Sequence, residues 1–357
     1  MKRKISVFLV ATLLIGSVVG CSSGNKDAGG SSSQPTASGS SEVAKTDGGE
    51  KATYNLQIAH SSPDGVASDQ ACYEFLKICE EMSDGRITGE VYSNSKLGSE
   101  REELEAIQMG NIQMGMLSTG PMPNFVPEYY LYDFPFPFKD REKAFEVLDS
   151  EVGQEVRDSI EKIGIKTLGV WENGFRNLTC NGTKTTADDM KGMKIRTMEN
   201  DIHMAIWKNL GANPTPMAFG EVYTALQQKT IDAQENPFIL INGMKFYEVN
   251  KTIVETRHLF SPHMLIINKA LYDGMSDEDR AIIDEAAAKA TEFQRAKAIE
   301  LENEMKQELV DAGCDVIELT EEQRAAFVEA TKSVDDMIKE KVGNDDLFER
   351  FRALVRE

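Results

Sequence analysis

The chain has 357 residues, 41% of them hydrophobic and 27% charged, a usage that excludes a collagen, a coiled coil or a wholly disordered chain. At roughly 100–200 residues per domain, that length suits two or three domains. Lys and Arg total 39 against 59 Asp and Glu, a formal charge of -20. A surface that acidic, with no local basic patch in the sequence, repels phosphate backbones and excludes nucleic acid as a partner.

Residues 1–20 read as a signal peptide: Lys2, Arg3 and Lys4 supply the positive start, and Ile5 to Ile15 an apolar core. That core is too short for a transmembrane helix, which needs about 20 apolar residues. Val18-Val19-Gly20-Cys21 then resembles a bacterial lipobox, which implies lipidation of Cys21 and a membrane contact through the lipid. Residues 22–52 are rich in Ser, Gly, Ala, Lys and Asp without apolar periodicity. Such a composition cannot repay the entropy of ordering and predicts a flexible tether, so that 21–52 join a lipidated Cys to the folded part.

From Tyr54 to Ala59 the alternation predicts a strand, and residues 66–82 a helix with Cys72, Phe75, Leu76 and Cys79 on one face. A strand follows at 86–92. Ser99 and Glu102 form a capping box that starts a helix running to Gly110. Further helices are expected near 141–149, 151–163, 201–210 and 219–228, with strands near 166–172, 193–197, 213–217, 230–234 and 262–268. Ser276 opens a long helix to about 312, with Ile283, Ala287, Ala290 and Phe293 on one side, and Thr320 with Gln323 caps another. Strands separated by helices of this length predict βαβ units, a largely parallel sheet and the α/β class.

Beyond Cys21, four cysteines remain: Cys72, Cys79, Cys180 and Cys314. Seven helical residues rise about 10 Å, beyond the roughly 7 Å that a disulfide spans, so Cys72 and Cys79 are not expected to bridge. Buried free thiols are the expectation for all four. Neither the cysteines nor His60, His203, His258 and His263 have metal-site spacing, and no metal is expected. His258 and His263 read as structural or surface residues. No nucleophile elbow, zinc-protease, P-loop or dinucleotide-binding signature occurs, which favours a binding protein over an enzyme.

Arg sits unusually among apolar neighbours in two segments, Trp171-Glu172-Asn173-Gly174-Phe175-Arg176 and Met193-Lys194-Ile195-Arg196. They are followed by Pro214-Thr215-Pro216-Met217-Ala218-Phe219-Gly220-Glu221-Val222-Tyr223 and by Gln234-Glu235-Asn236-Pro237. On the residues alone, Arg176 suits a structural ion pair as well as a ligand, and Arg196 shares a strand face with Lys194. In order and spacing, however, these motifs resemble the solute-binding proteins of TRAP transporters, the DctP family, over nearly the whole chain from Tyr54.

The resemblance implies a two-lobed α/β fold of the periplasmic-binding-protein kind, with a hinge and a long helix spanning the lobes. On that basis 53–173 plus about 262–301 form lobe I, and 174–261 plus about 302–357 form lobe II. It implies an extracytoplasmic receptor that binds a small organic acid without cofactor or catalysis. Its partners would be the small and large TRAP membrane subunits, and its working form a monomer. Arg196, Arg176 and Asn236 match the family's carboxylate clamp. A guanidinium fork suits a carboxylate chemically, and strand ends are where open α/β sheets place ligands.

The remaining contacts are expected from His60 at the end of the first strand, Glu100 at a helix start, Glu199 beside the clamp, and Phe219. Glu100 suits sugar hydroxyls or, alternatively, only the helix dipole; Phe219 suits stacking or the core. The sialic-acid-binding branch carries a glutamate in the strand where this chain reads Met116-Leu117-Ser118-Thr119-Gly120, which argues against sialic acid. A uronate such as glucuronate or galacturonate, or an aldonate, is the expected ligand. The alternatives are a C4-dicarboxylate or another small acid, or a sensory input role for the same fold.

Overall fold

The computed structural model describes residues 51–356. The expected signal segment, Cys21 and the tether up to residue 50 lie outside the described residues. Among the described residues there are nine strands: β1 (Tyr54–Ala59), β2 (Ile87–Tyr92), β3 (Met114–Ser118), β4 (Ile165–Cys180), β5 (Lys194–Thr197), β6 (Asn213–Pro216), β7 (Gln234–Asn236), β8 (Thr252–Asn268) and β9 (Asp315–Glu318). Seven form one sheet in the order β2-β1-β3-β8-β4-β7, with β9 on β8, while β5 and β6 form a small parallel pair.

The large sheet is mixed, which corrects the expectation of a largely parallel one. β1 pairs parallel with β2 and β3, but β8 runs antiparallel to both β3 and β4. β4 and β8 are also far longer than the predicted 166–172 and 262–268, at 16 and 17 residues. They run side by side through three register shifts, at Thr167/Gly169, Glu172/Gly174 and Arg176/Leu178. Gly174 sits at the second of these with φ 114°, a conformation that glycine alone adopts without strain. Bulges of this kind re-aim side chains, and here they flank Asn173 and Arg176.

Two apolar cores sandwich the sheet. On one side, the helix Ala67–Met82 buries Cys72, Phe75 and Cys79 against β1 and against Ile283 and Ala287 of the long helix Asp277–Asp311. Small alanines on the long helix permit that close approach. On the other side, Phe134 packs against Phe348 and Phe351 of the C-terminal helix Asp345–Arg356, with ring centroids 5.6 and 6.3 Å apart. Each such fully buried ring contributes about 1.5–3 kcal/mol over exposure.

Both predicted capping boxes are present, Ser99 with Glu102 and Thr320 with Gln323. The long helix starts at the predicted cap, where the Ser276 side chain accepts from the Asp279 N–H at 3.1 Å. Its buried face differs from expectation. Phe293 is exposed, and Gln294 is fully buried in its place. Gln294 donates from Nε2 to the Glu172 carbonyl and accepts from the Glu172 N–H, each at 2.7 Å. The sheet backbone at a register shift has orphaned groups there, and an amide side chain satisfies both where an apolar one would not.

Cys72, Cys79, Cys180 and Cys314 are all free and buried, as expected. Burial pushes the Cys79 thiol up to about 12 and the Cys180 thiol up to about 11, so neither is a reactive thiolate. Among the described residues no helix is long and apolar enough to cross a membrane, and no cluster of side chains suits a metal ion.

Candidate functional site

β5 has only four residues, but it brings Arg196 into the interior, where the side chain is 2% exposed. The strand is pinned by the Arg196 N–H donating to the Ala233 carbonyl at 2.9 Å. The guanidinium donates from Nε and Nη2 to the Met217 carbonyl at 2.9 and 2.6 Å. Among the described residues no carboxylate pairs with it, and its Nη1 is buried without any partner. Phe219 lies with its ring centroid 5.9 Å from the guanidinium carbon. Burial, helped by the nearby positive Arg176, lowers the Arg196 pKa to about 10, which still leaves it charged at neutral pH. A buried cation answered only by a carbonyl oxygen is costly unless an anion joins it.

Arg176 of β4 is as deeply buried, yet its charge is already answered. Nη2 donates to the Glu235 carboxylate at 2.9 Å and to the Glu235 carbonyl at 2.6 Å, and Nε donates to the same carboxylate. His258 Nε2 lies 2.9 Å from that carboxylate as well, and its Nδ1 is 2.8 Å from the Thr256 hydroxyl. Burial alone would raise the Glu235 carboxyl, but Arg176 and His258 outweigh it and hold the group well below the usual carboxylate range. The structural ion pair weighed for Arg176 from sequence is therefore present, and the edge left to face a ligand is Nη1.

Glu235 was not singled out from the sequence. The signal available was an acid inside a short strand otherwise free of charge, Ala233-Gln234-Glu235-Asn236. Its register against β4 sets it opposite Leu178, one position from Asn236 opposite Asn177. Asn236 is the last residue of β7 and not beyond the strand, since β7 covers Gln234–Asn236 in place of the predicted 230–234. Its Nδ2 donates to Gln234 Oε1 at 2.6 Å.

Arg196, Arg176, Asn236, Glu100 and Phe219 converge on one cavity of about 20 Å³, room for about a single water. Glu100, half-buried at the start of its helix, accepts from the Ser118 N–H at 2.9 Å and from the Ser118 hydroxyl at 2.7 Å. Ser61, Ser62, Asn173 and His263 complete much of the wall. His60 does not reach it. That imidazole is fully buried and faces Asp69 at 3.2 Å, leaving the next two residues at the cavity. Glu199 lines only an adjoining space of the same size, 3.7 Å from Arg101.

The walls of the cleft touch one another. The Ser118 hydroxyl is 3.4 Å from Met198 Sδ, Asn124 Nδ2 donates to the Glu199 carbonyl at 2.7 Å, and Asn200 Nδ2 donates to the Gly120 carbonyl at 2.9 Å. A separate cavity of about 280 Å³ lies beside Phe175 and Asn177, the residues flanking Arg176. On its wall Arg141 pairs with Glu302, and with Glu172 beyond the lining, and Lys306 pairs with Glu255 at 2.6 Å, so much of its charge is already neutralised. Arg257 on that wall is half-buried and has no carboxylate partner either, but among the described residues the fully buried arginine without one is Arg196.

A mixed α/β fold with a buried cation, unpaired by any carboxylate, on a cavity wall suits a binding protein. The chain belongs to the DctP family of TRAP-transporter solute-binding proteins: the family described as bacterial extracellular solute-binding protein, family 7, matches residues 58–341. A solute-binding protein of Verminephrobacter eiseniae is 39% identical over 81% of this chain and 85% of its own length. The 2,3-diketo-L-gulonate-binding periplasmic protein of Escherichia coli is 34% identical over 78% of this chain and 85% of its own. The crystal structure of a sugar acid binding protein from Advenella mimigardefordensis with galactonate superposes with a TM-score of 0.83, at 29% identity, covering 86% of this chain and 99% of the other. The chain is thus a transport receptor and not an enzyme, with the fold of the periplasmic solute-binding proteins, and its family works with TRAP membrane subunits.

Proposed function

We propose that this receptor captures a hydroxylated monocarboxylic acid, a uronate or aldonate, and hands it to the small and large TRAP membrane subunits. The observation that carries the reading is Arg196: a buried guanidinium with Nη1 unpartnered, on the wall of the cleft cavity. A carboxylate there would accept charge-assisted hydrogen bonds and neutralise the site. In this reading Arg176 Nη1 and Asn236 flank the same carboxylate, Glu100 accepts from ligand hydroxyls, and Phe219 covers an apolar face. The relatives that bind 2,3-diketo-L-gulonate and galactonate support the ligand class. A C4-dicarboxylate is disfavoured by Glu100, whose negative charge at the cavity would oppose a second anionic end.

The assigned lobes, 53–173 plus about 262–301 and 174–261 plus about 302–357, would close on the ligand as a population shift driven by contacts made only in the closed form. Lipidated Cys21 and the tether would hold a monomer at the cell membrane. Thermal-shift screening tests the ligand class. Binding to the folded state alone raises stability by about 2.7 kcal/mol at a hundredfold excess over Kd. Galactonate and glucuronate should raise the melting temperature, and galactose and glucose should not. An equal shift with the neutral sugars, or none with any acid, would refute the proposal.

A further inference from the structure

Three residues on the wall of the cleft cavity each carry a buried polar atom that has no hydrogen-bond partner among the described residues: Arg196 Nη1, Asn173 Oδ1 and His263 Nδ1. Proteins seldom leave such atoms unmet, because each costs about as much as a lost hydrogen bond. Their chemistry differs. Arg196 only donates, the Asn173 oxygen only accepts, and a neutral imidazole has one donor and one acceptor. A carboxylate supplies acceptors alone, so it answers Arg196 and leaves the Asn173 oxygen unanswered, and His263 Nδ1 too unless that nitrogen carries the proton.

We infer that Asn173 and His263 form a hydroxyl-reading subsite, so that the ligand must bring at least one O–H donor into the cavity beside its carboxylate. This rests on the carboxylate reading of Arg196 and narrows it. The placement follows from the sheet. His263 of β8 stands opposite Ser118 of β3 and Trp171 of β4, and Asn173 lies in the register shift between Glu172 and Gly174. Asn173 is further held by its Nδ2, which lies 3.5 Å from the Ser261 hydroxyl and leaves the amide oxygen unused. Gln294 fixes the backbone of the preceding residue, so the amide is presented from a rigid support.

The imidazole stays neutral, as the subsite requires. Burial, together with the positive charge of Arg176 and the neighbouring His60, lowers the His263 pKa to about 3. His60, close enough to act on that ring, is itself 3.2 Å from the Asp69 carboxylate, and Ser118 is the neighbour of His263 across the β3 pairing. A second carboxylate of a dicarboxylic acid would meet an amide oxygen and a neutral ring here, neither of which compensates its charge. A hydroxyl both donates and accepts, and it satisfies the pair.

Calorimetric titration of the full chain tests this without any variant first. D-erythronate and butanoate share a four-carbon monocarboxylate and differ in their hydroxyls, and succinate adds the dicarboxylate arm. Erythronate should bind at least about tenfold tighter than either. Asn173→Ala and His263→Phe should then each cost galactonate about tenfold and reduce its margin over succinate, with circular dichroism verifying the fold. Butanoate or succinate binding as tightly as erythronate overturns the inference while the carboxylate reading stands. Equal losses for galactonate and succinate in folded variants also overturn it. If no acid binds at all, the carboxylate reading fails and the subsite falls with it.

Discussion

Arg196 and Arg176 are buried almost equally, and what separates them is the company each keeps. Glu235 neutralises Arg176, whereas a lone carbonyl answers Arg196. Arg196→Lys keeps the charge but loses the planar fork, and it should weaken galactonate binding by about 1.5–3 kcal/mol, read by calorimetry. Binding within twofold of the parent would remove Arg196 from the clamp. Glu103 is a second buried charge problem. It is fully buried with neither oxygen partnered among the described residues, and burial, then Glu100 and Glu102, push its carboxyl from 4.5 up to about 9. The folded state therefore binds an extra proton between those values. Stability attributable to this group is complete below pH 4.5 and falls as pH rises towards 9, by at most about 1.4 kcal/mol per unit. Glu103→Gln should flatten that slope in urea unfolding measured from pH 5 to 8. A slope equal to the parent's would show that Glu103 is ionised in the fold.

At the level of elements, local signals read well and long-range ones did not. β1 runs over the predicted residues, and the caps at Ser99, Ser276 and Thr320 sit where their side chains place them. Strand direction is a tertiary matter, and nothing between Tyr54 and Ser118 reveals that β8 will insert antiparallel between β3 and β4. The first half of β8 hid for a related reason: Glu255, Arg257 and His258 interrupt its apolar run, and their partners are distant in sequence, Lys306 of the long helix for Glu255 and Glu235 of β7 for His258. Arg196, Arg176 and Asn236 could be singled out because their motifs are contiguous, and the structure brings all three to one cavity wall. Asn173 and Glu235 stand in those same motifs and His263 outside them, but what each of the three faces is set by strand register, which the motifs do not show. Gln294 shows the same limit, since its two bonds to Glu172 are invisible to helical periodicity. Gln294→Leu strands a backbone N–H and a carbonyl in the interior and should cost about 2–5 kcal/mol in urea unfolding. A loss below about 0.5 kcal/mol would mean that the helix and strand find other partners.

Across the whole molecule, the cleft is where segments distant in sequence meet. Residues 118–124 reach 198–200 through Ser118, Asn124 and Asn200. The long helix runs behind β4 and is tied to it by Trp171 donating to the Thr291 hydroxyl at 2.9 Å and by Arg295 donating to the Val170 carbonyl. If the two proposed lobes part, the cross-cleft contacts must break while the helix ties remain, which leaves the motion to the crossings in β4 near Asn173, in β8 near Ser261 and in the long helix near residue 301. Capture of an anion by Arg196 would then be what holds the cleft shut. The most direct test compares D-glucuronate with D-glucuronamide by calorimetric titration, because the amide keeps every hydroxyl and removes only the charge. Glucuronate should bind at least about a hundredfold tighter, the loss expected when a buried cation is left without its anion. Equal affinity for the amide, within twofold, would contradict a receptor built around a carboxylate.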